Sequence, residues 1–547
     1  MSHHCKKFLS AGLAGVLCST ALFSLPVAHA DGRDGRGGDG RNNLHLPGLR
    51  DRPYTPENSF TRMFPELPPF ARPTDEAREQ AKKLGEKDGL IDARDNLTNP
   101  ILSITEPNLS LNNPDNPNMT AGVTFFGQFL DHDITLDPRS PLLERSHPGK
   151  TTNFRTAAFD LDSVYGSGPK ESPELYDLSS VDFKLRVDPI PGSHLVSRDK
   201  KPRYDLPRLP CDQVNNCTAI LGDSRNDEHV ILAQFHLAML RFHNAVIDHL
   251  RADPANAGQS AEQIFQLAQR QVRWHYQWII LHEFLPLTIG QERVKDILNK
   301  GLRFYEVNKR NALIPIEFSV AAYRFGHSQI RPSYRVNFGP VDGQEFFAFV
   351  FDDTQDLGLE DPNDLRGGKR APRRFVDWQT FFDFDDGRSR NNKKIDGKLS
   401  SVMMLLPGSR GVAAPGLPAD GVTSLASRNL MRHVNFGIPS GQAIARRMGL
   451  PVLTSAQLDM LKPFDMEKST PLWYYILKEA ELLENGLRLG PVGGRIVGEV
   501  FIGLLKADES SYLAAQPNWT PVLPSKKAGD FRVTDLLTFA GVVPPLS

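Results

Sequence analysis

The stretch EHVILAQFHLAMLRFHNAVIDHL repeats apolar residues at three- and four-residue spacing and is far longer than a typical strand. It predicts a helix over Asp227 to Leu250. The same pattern predicts a second long helix over Ala261 to Glu283, with shorter ones over Pro315 to Ser328, Ser440 to Arg447, Ser455 to Leu461 and Gly493 to Leu505. Strand-like pieces are short, and Ser333 to Asn337 and Phe346 to Phe351 are placed to form a hairpin. No internal repeat or second linker interrupts the chain beyond Thr74. The expected fold class is therefore mainly α, a single large helical domain over residues 74–547 with few short strands.

With 547 residues, 40% of them hydrophobic and 24% charged, the chain can build a sizeable core. Its formal net charge of -1 gives no compositional case for nucleic acid or an anionic membrane surface as partner. Lys6 and Lys7, the apolar run from Phe8 to Val27 and the small-x-small site Ala28-His29-Ala30 read as a secretory signal over residues 1–30. A retained membrane anchor is disfavoured by Ser19, Thr20, Ser24 and Pro26, and lipidation at Cys18 by the bulky Val16 and Leu17 before it. Residues 31–73 form a leader. Its first part, to Arg52, is rich in Gly, Asp, Arg and Asn and too poor in apolar residues to fold alone. Its Pro-rich second part carries Phe60, Met63, Phe64 and Phe70, which can strap onto a core. Signal removal takes Cys5 and Cys18 and leaves Cys211 and Cys217, bounding the small loop CDQVNNC. In an oxidising compartment a disulfide is expected, over two free thiols or a thiolate catalyst.

Four clusters carry chemistry. In GQFLDHDITLD, a helix would put Gln128 and His132 on one face, with Asp131 and Asp133 to either side. Taken alone, DHD would be a capped helix end. In LGDSRNDEH, Asp223 or Ser224 could cap the following helix and Glu228 complement its dipole, but Arg225 opposes that dipole. In AAYRFGHSQIRPSY, His327 could be an ordinary core histidine, yet Gly326 beside it removes the bulk that a close-lying planar group would meet. In SRNLMRHVNFGIP, Asn429 and Arg432 share a face if the segment is helical. His229, His236 and His243 fall seven apart, about 10 Å between neighbours, too far to share one ion, and are assigned to packing and hydrogen bonding. No HExxH, CxxC, GxGxxG or Walker sequence accompanies these histidines.

In this order the clusters resemble the animal-type heme peroxidases of the peroxidase-cyclooxygenase superfamily, from roughly Leu90 to Pro545. The resemblance implies heme b and calcium as cofactors. It implies His132 as the base toward peroxide, Gln128 as its polar neighbour and Arg225 as the distal arginine. His327 is implied as the iron ligand, and Asn429 as the amide accepting a hydrogen bond from its other ring nitrogen. Arg324 and Arg432 match arginines near the propionates, and Asp131 and Glu228 match carboxylates esterified to heme methyl groups. His229 stands where mammalian members with a third, sulfonium link carry Met, so at most two links are expected. TAAFDLDSVYGS resembles the calcium loop, with Thr156, the Ala158 carbonyl, Asp160 and Asp162 joined by Asp133; Asp162 replaces a Ser and adds a negative charge.

The implied function is a secreted, periplasmic or extracellular peroxidase that uses hydrogen peroxide to oxidise halide, thiocyanate or phenolic donors through ferryl heme, with no membrane span after signal cleavage. The runner-up is a fatty-acid dioxygenase, whose radical tyrosine lies three residues before the iron ligand; here that position is Arg324, and Tyr323 lies one residue earlier. A non-catalytic adhesion or matrix protein of the same fold is the third reading.

Overall fold

The longest helix runs over Val230–Ala252. It starts there because His229 is extended (φ -150°, ψ 160°) and caps it, its ring Nδ1 accepting from the Leu232 N–H at 3.2 Å. The Val230 N–H is meanwhile taken by the Leu365 carbonyl at 2.8 Å. This corrects the expected start at Asp227. Ser224–Asp227 forms a separate 3-10 turn whose cap is Asp223, so Glu228 is not in the first turn of the long helix. The helix is long and apolar enough to cross a membrane, but 83% of its most apolar window is buried inside the protein.

The computed structural model describes residues 55–211, 217–308, 311–351, 361–362, 364–368, 370–406 and 421–544. The expected signal segment, and the leader as far as residue 54, lie outside the described residues. The described leader residues Phe60, Met63, Phe64 and Phe70 are buried in the core. The Met63 and Phe64 N–H groups donate to the buried Glu317 carboxylate at 2.9 and 3.2 Å. That ties the strap to the segment leading to His327.

Three helices share an aromatic core. Phe126 and Phe129 of the Ala121–Ile134 helix meet Phe235 at 5.6 and 5.2 Å between ring centroids, and both meet Tyr276 of the Ala261–Ile279 helix edge-on. The latter begins in a Ser260/Gln263 capping box and widens into a π turn over Ile280–Phe284 before a short helix over Leu285–Ile289. Pro286 explains the change from the regular helix expected as far as Glu283. It has no N–H for the His282 carbonyl, and Arg532 Nη1 satisfies that carbonyl instead at 2.7 Å.

The helix expected over Pro315 to Ser328 is two pieces, a π turn Glu317–Ala321 and a 3-10 segment Ala322–Gln329, broken where Ala321 leaves helical geometry (φ -124°, ψ -80°). Over Ser455 to Leu461 the helical turn is displaced to a 3-10 piece, Asp459–Phe464, because Thr454 and Gln457 bond reciprocally and close a turn ahead of it. Helices Leu425–Phe436, Gly441–Met448, Leu472–Glu484 and Pro491–Ala507 complete the layer behind the His327 segment. Among the described residues the named strands form three two-stranded antiparallel pairs. One is the expected hairpin, Ser333–Asn337 against Phe346–Phe349, with Arg335 opposite Phe347.

Candidate functional site

The Ala121–Ile134 helix is buried along most of its length, yet Gln128 and Asp131 keep accessible surface. His132, on the same face as Gln128, is buried, and its Nδ1 lies 2.8 Å from Asn226 Oδ1. Asn226 Nδ2 lies 2.9 Å from His236 Nδ1 and donates there when that nitrogen is unprotonated, an orientation in which the amide oxygen faces His132 and accepts. His132 therefore carries its proton on Nδ1 and presents a basic Nε2. Burial, reinforced by Arg225, pushes its pKa down to about 3, so the ring is neutral near pH 7.

Arg225 is aimed by a fork. Its Nε and Nη2 donate to the two Asp223 oxygens at 3.0 and 2.7 Å, and Nη2 also reaches the His132 and Thr135 carbonyls at 3.2 and 2.6 Å. Asp223 is buried, and although burial alone would raise its pKa, Arg225 and Arg155 hold the carboxyl well below the usual range. The cation's conflict with a helix dipole is resolved structurally, because Arg225 precedes the long helix by a separate turn.

Gln128, Glu228 and His229 form a directed chain. His229 spends Nδ1 as the helix cap, so Nε2 donates to Gln128 Oε1 at 3.0 Å, and Gln128 Nε2 donates to Glu228 Oε2 at 3.2 Å. Glu228 is exposed at the edge of this recess; loss of hydration there lifts its carboxyl to about 7 against the pull of Arg225. Asp131 accepts from Thr135 Oγ1 at 3.0 Å and is raised by burial, opposed by Arg225 and Arg324. It feels an arginine from each side of the recess.

The second side is the 3-10 segment. Tyr323 Oη donates to the Gly127 carbonyl at 3.0 Å and pins this segment to the Ala121–Ile134 helix. His327 Nδ1 lies 2.8 Å from Asn429 Nδ2, while Asn429 Oδ1 accepts from Arg324 Nη1 at 2.9 Å. The expectation that Asn429 accepts from His327 is corrected here: a guanidinium can only donate, so it takes the amide oxygen and leaves the amide N–H for the ring. Burial, then the nearby Arg432, lowers Arg324 to about 10, and Arg432 itself pairs with Asp137 at 3.6 Å.

Residues 138–348 match the family described as animal haem peroxidase. Through this stretch the chain resembles the animal haem peroxidases. Thyroid peroxidase of Homo sapiens is 30% identical over 206 residues, 35% of this chain and 21% of that protein. The chain spans less than half the length of the curated relatives it matches. Peroxidase A from Dictyostelium discoideum has the same fold, with a TM-score of 0.54 and 18% identity over 83% of this chain and 89% of that one. A fatty acid alpha-dioxygenase of Oryza sativa reaches a TM-score of 0.50 at 14% identity, over 83% of this chain and 76% of that one. The fold is thus common to two chemistries, and side chains must separate them.

The peroxidase family implies heme, and the recess fits it. A Cβ built on Gly326 meets nothing within 4 Å, although buried Phe325 precedes it and His327 follows. Among the described residues, no hydrogen bond engages Nε2 of His132 or of His327. Burial and Arg324 bring the His327 pKa down to about 3, which keeps the ring neutral. Ligation through Nε2 would require the proton on Nδ1, and so a turn of the Asn429 amide from the orientation that Arg324 holds here.

Beneath the Ala121–Ile134 helix, carboxylate oxygens of Asp133, Asp160 and Asp162 lie within 4.8 Å of one another. Asp133 is fully buried; its Oδ2 accepts from Leu161 N and Tyr276 Oη, and its Oδ1 has no hydrogen bond. Burial and its two acidic neighbours raise Asp133 well above the carboxylate range, and burial with Asp162 takes Asp160 to about 6. An oxygen set of this kind suits a hard cation. Thr156 Oγ1 and N donate to Asp160 and Asp162 at 2.8 and 3.2 Å, so the loop is already folded around the acids. Cys211 and Cys217 are joined in a disulfide, and Arg208 links the Cys217 carbonyl to Asp227.

Asn226, His236, Asp223 and Arg155 were not singled out as site residues from sequence. Asn226 and Asp223 had one available pointer, their places within two residues of Arg225; His236 and Arg155 contact the site only through the fold.

Proposed function

We propose that this chain is a secreted heme peroxidase that reduces hydrogen peroxide and oxidises a halide, thiocyanate or phenolic donor. The observation that carries this reading is the His132–Asn226 bond, which leaves a basic Nε2 beside an arginine fixed by a buried carboxylate. Bound heme supplies a redox-active iron that takes up the oxidising equivalents of peroxide.

Within that frame His132, neutral and with Nε2 free, would take a proton from bound peroxide and return it to the oxygen that leaves as water. Arg225 stabilises the negative charge that develops as the O–O bond breaks, a contribution of about 3 kcal/mol for one aimed donor. His327 would hold the iron through Nε2, with the Asn429 amide beside its Nδ1 setting the ring. Arg324 and Arg432 would hold the propionates, and Asp131 and Glu228 would be the carboxylates that form ester bonds. Asp133, Thr156, the Ala158 carbonyl, Asp160 and Asp162 hold calcium, which stiffens the helix carrying His132. Export follows from the signal over residues 1–30.

Against lipid dioxygenation stands Arg324 at the position three before His327. Tyr323 is spent elsewhere: its ring stacks on Phe318 at 4.8 Å and its hydroxyl is committed to Gly127. The deciding assay follows peroxide consumption with iodide, bromide, thiocyanate and a phenol, and oxygen uptake with linoleate. Peroxide-dependent donor oxidation is expected; oxygen uptake with linoleate and no donor oxidation would overturn the reading.

A further inference from the structure

Arg155 sits one residue before the cation loop, and neither the loop nor the peroxide chemistry accounts for it. Its side chain is 2% exposed and lies between carboxylates of two separate segments. Nη1 donates to Asp162 Oδ1 at 3.2 Å, and Nε lies 3.5 Å from Asp223 Oδ2. Both carboxylates are almost wholly buried, with side chains 3% and 1% exposed. Asp223 is the carboxylate that aims Arg225.

We propose that Arg155 is a positioning residue that couples calcium in the loop to the placement of Arg225. The proposal rests on the heme-peroxidase and calcium reading above and adds a connection between its two sites.

Charge is the first argument. Asp162, Arg155, Asp223 and Arg225 alternate in sign along one buried chain that sums to zero, so the charge at Asp162 is matched by Arg155. Removing the guanidinium would strand two buried carboxylates beside a single cation, an arrangement that burial penalises heavily. The backbone supplies the second argument. A Cβ on Gly222 would lie 2.3 Å from the Ser163 carbonyl oxygen, so the turn bearing Arg225 packs directly on the loop bearing Asp162. A movement of the loop has no slack to absorb it before it reaches Asp223.

Calcium drawn onto Asp162 fixes one end of the Arg155 fork and thereby the other. A thermodynamic coupling of this kind is reciprocal: an anion held at the iron by Arg225 must tighten calcium by the factor that calcium tightens the anion. Another route exists, because Asp133 adjoins His132 on one helix. A variant at Arg155 separates the two.

The experiment measures cyanide affinity of the ferric holoprotein by absorbance with saturating calcium and after chelation, and calcium affinity by calorimetry with and without cyanide. In the unsubstituted protein we expect equal factors from the two directions, on the order of 10-fold. Arg155→Lys keeps the charge but loses the fork that spans two carboxylates; Arg155→Gln loses the charge as well. Either, once shown to bind heme and to gain thermal stability from calcium, should bring both factors to within about 2-fold of unity, below the ordinary range of such couplings.

A coupling unchanged in Arg155→Lys or Arg155→Gln would assign it to the helix and overturn the proposal. Unsubstituted protein that binds heme and calcium with no coupling would overturn it too, without any variant, and would leave the peroxidase reading standing. Protein that binds neither would remove the reading and the proposal together.

Discussion

His132 Nδ1 faces Asn226 Oδ1 at 2.8 Å, and His236, within the Val230–Ala252 helix, holds the other end of that amide. The pair decides which nitrogen of His132 is basic. In Asn226→Ala the ring loses its preference between tautomers, and the second-order rate of the ferric protein with peroxide should fall about 10- to 100-fold. Stopped-flow spectroscopy checks this; an unchanged rate would mean that the Asn226 amide has no part in proton transfer.

Arg225→Met removes the aimed cation while leaving the His132–Asn226 bond in place. The rate with peroxide should drop about 100- to 1000-fold, with heme content unchanged. If heme content falls and the rate per heme does not, Arg225 serves binding of the cofactor alone.

Glu228 gives a pH dependence whose sign is fixed. Glu228 keeps its outer face exposed, but the side against the protein loses hydration and lifts its carboxyl from 4.5 to about 7 in the protein without heme. The folded chain thus holds a proton that the unfolded chain has released, with a linked stability kept small by solvent screening. The stability this gives is full below the unfolded value and is lost as pH rises through the folded one. Glu228→Gln is neutral throughout and keeps an acceptor for Gln128. Its Tm relative to unsubstituted apoprotein should therefore rise between about pH 5 and about pH 8. A difference that is flat or falls would show that Glu228 is not protonated in the fold.

Calcium should stabilise the fold by mass action on the Asp133, Asp160 and Asp162 cluster. At about 100 times its Kd the gain is about 2.7 kcal/mol. Thermal melts of chelated protein with and without added calcium measure it, and Asp133→Asn should shrink the increment. Equal melts in both conditions would rule out the site.

Part of this site is readable without coordinates. The spacing in GQFLDHDITLD places Gln128 and His132 on one helix face because a helix fixes that relation locally, and the long apolar periods mark the helices that carry the core. Other features are settled by contacts distant in sequence. The long helix begins at Val230 rather than Asp227 because Leu365 supplies the carbonyl for its first N–H. Arg324 takes the Asn429 oxygen across a separation of 105 residues, so no local rule could orient that amide. Arg155 and Asp223 likewise meet only in the folded chain. The π turn before Pro286 is a different case: the proline was in plain view, and its missing N–H predicts the widened turn.

The central claim is that His327 binds heme iron opposite His132. Purified protein reconstituted with heme b should show a Soret band and the ferric spectrum of a histidine-ligated heme, and His327→Ala, folded by circular dichroism, should lose that spectrum along with turnover. A folded protein with no Soret band after reconstitution, or a His327→Ala variant with an unaltered spectrum, would contradict it.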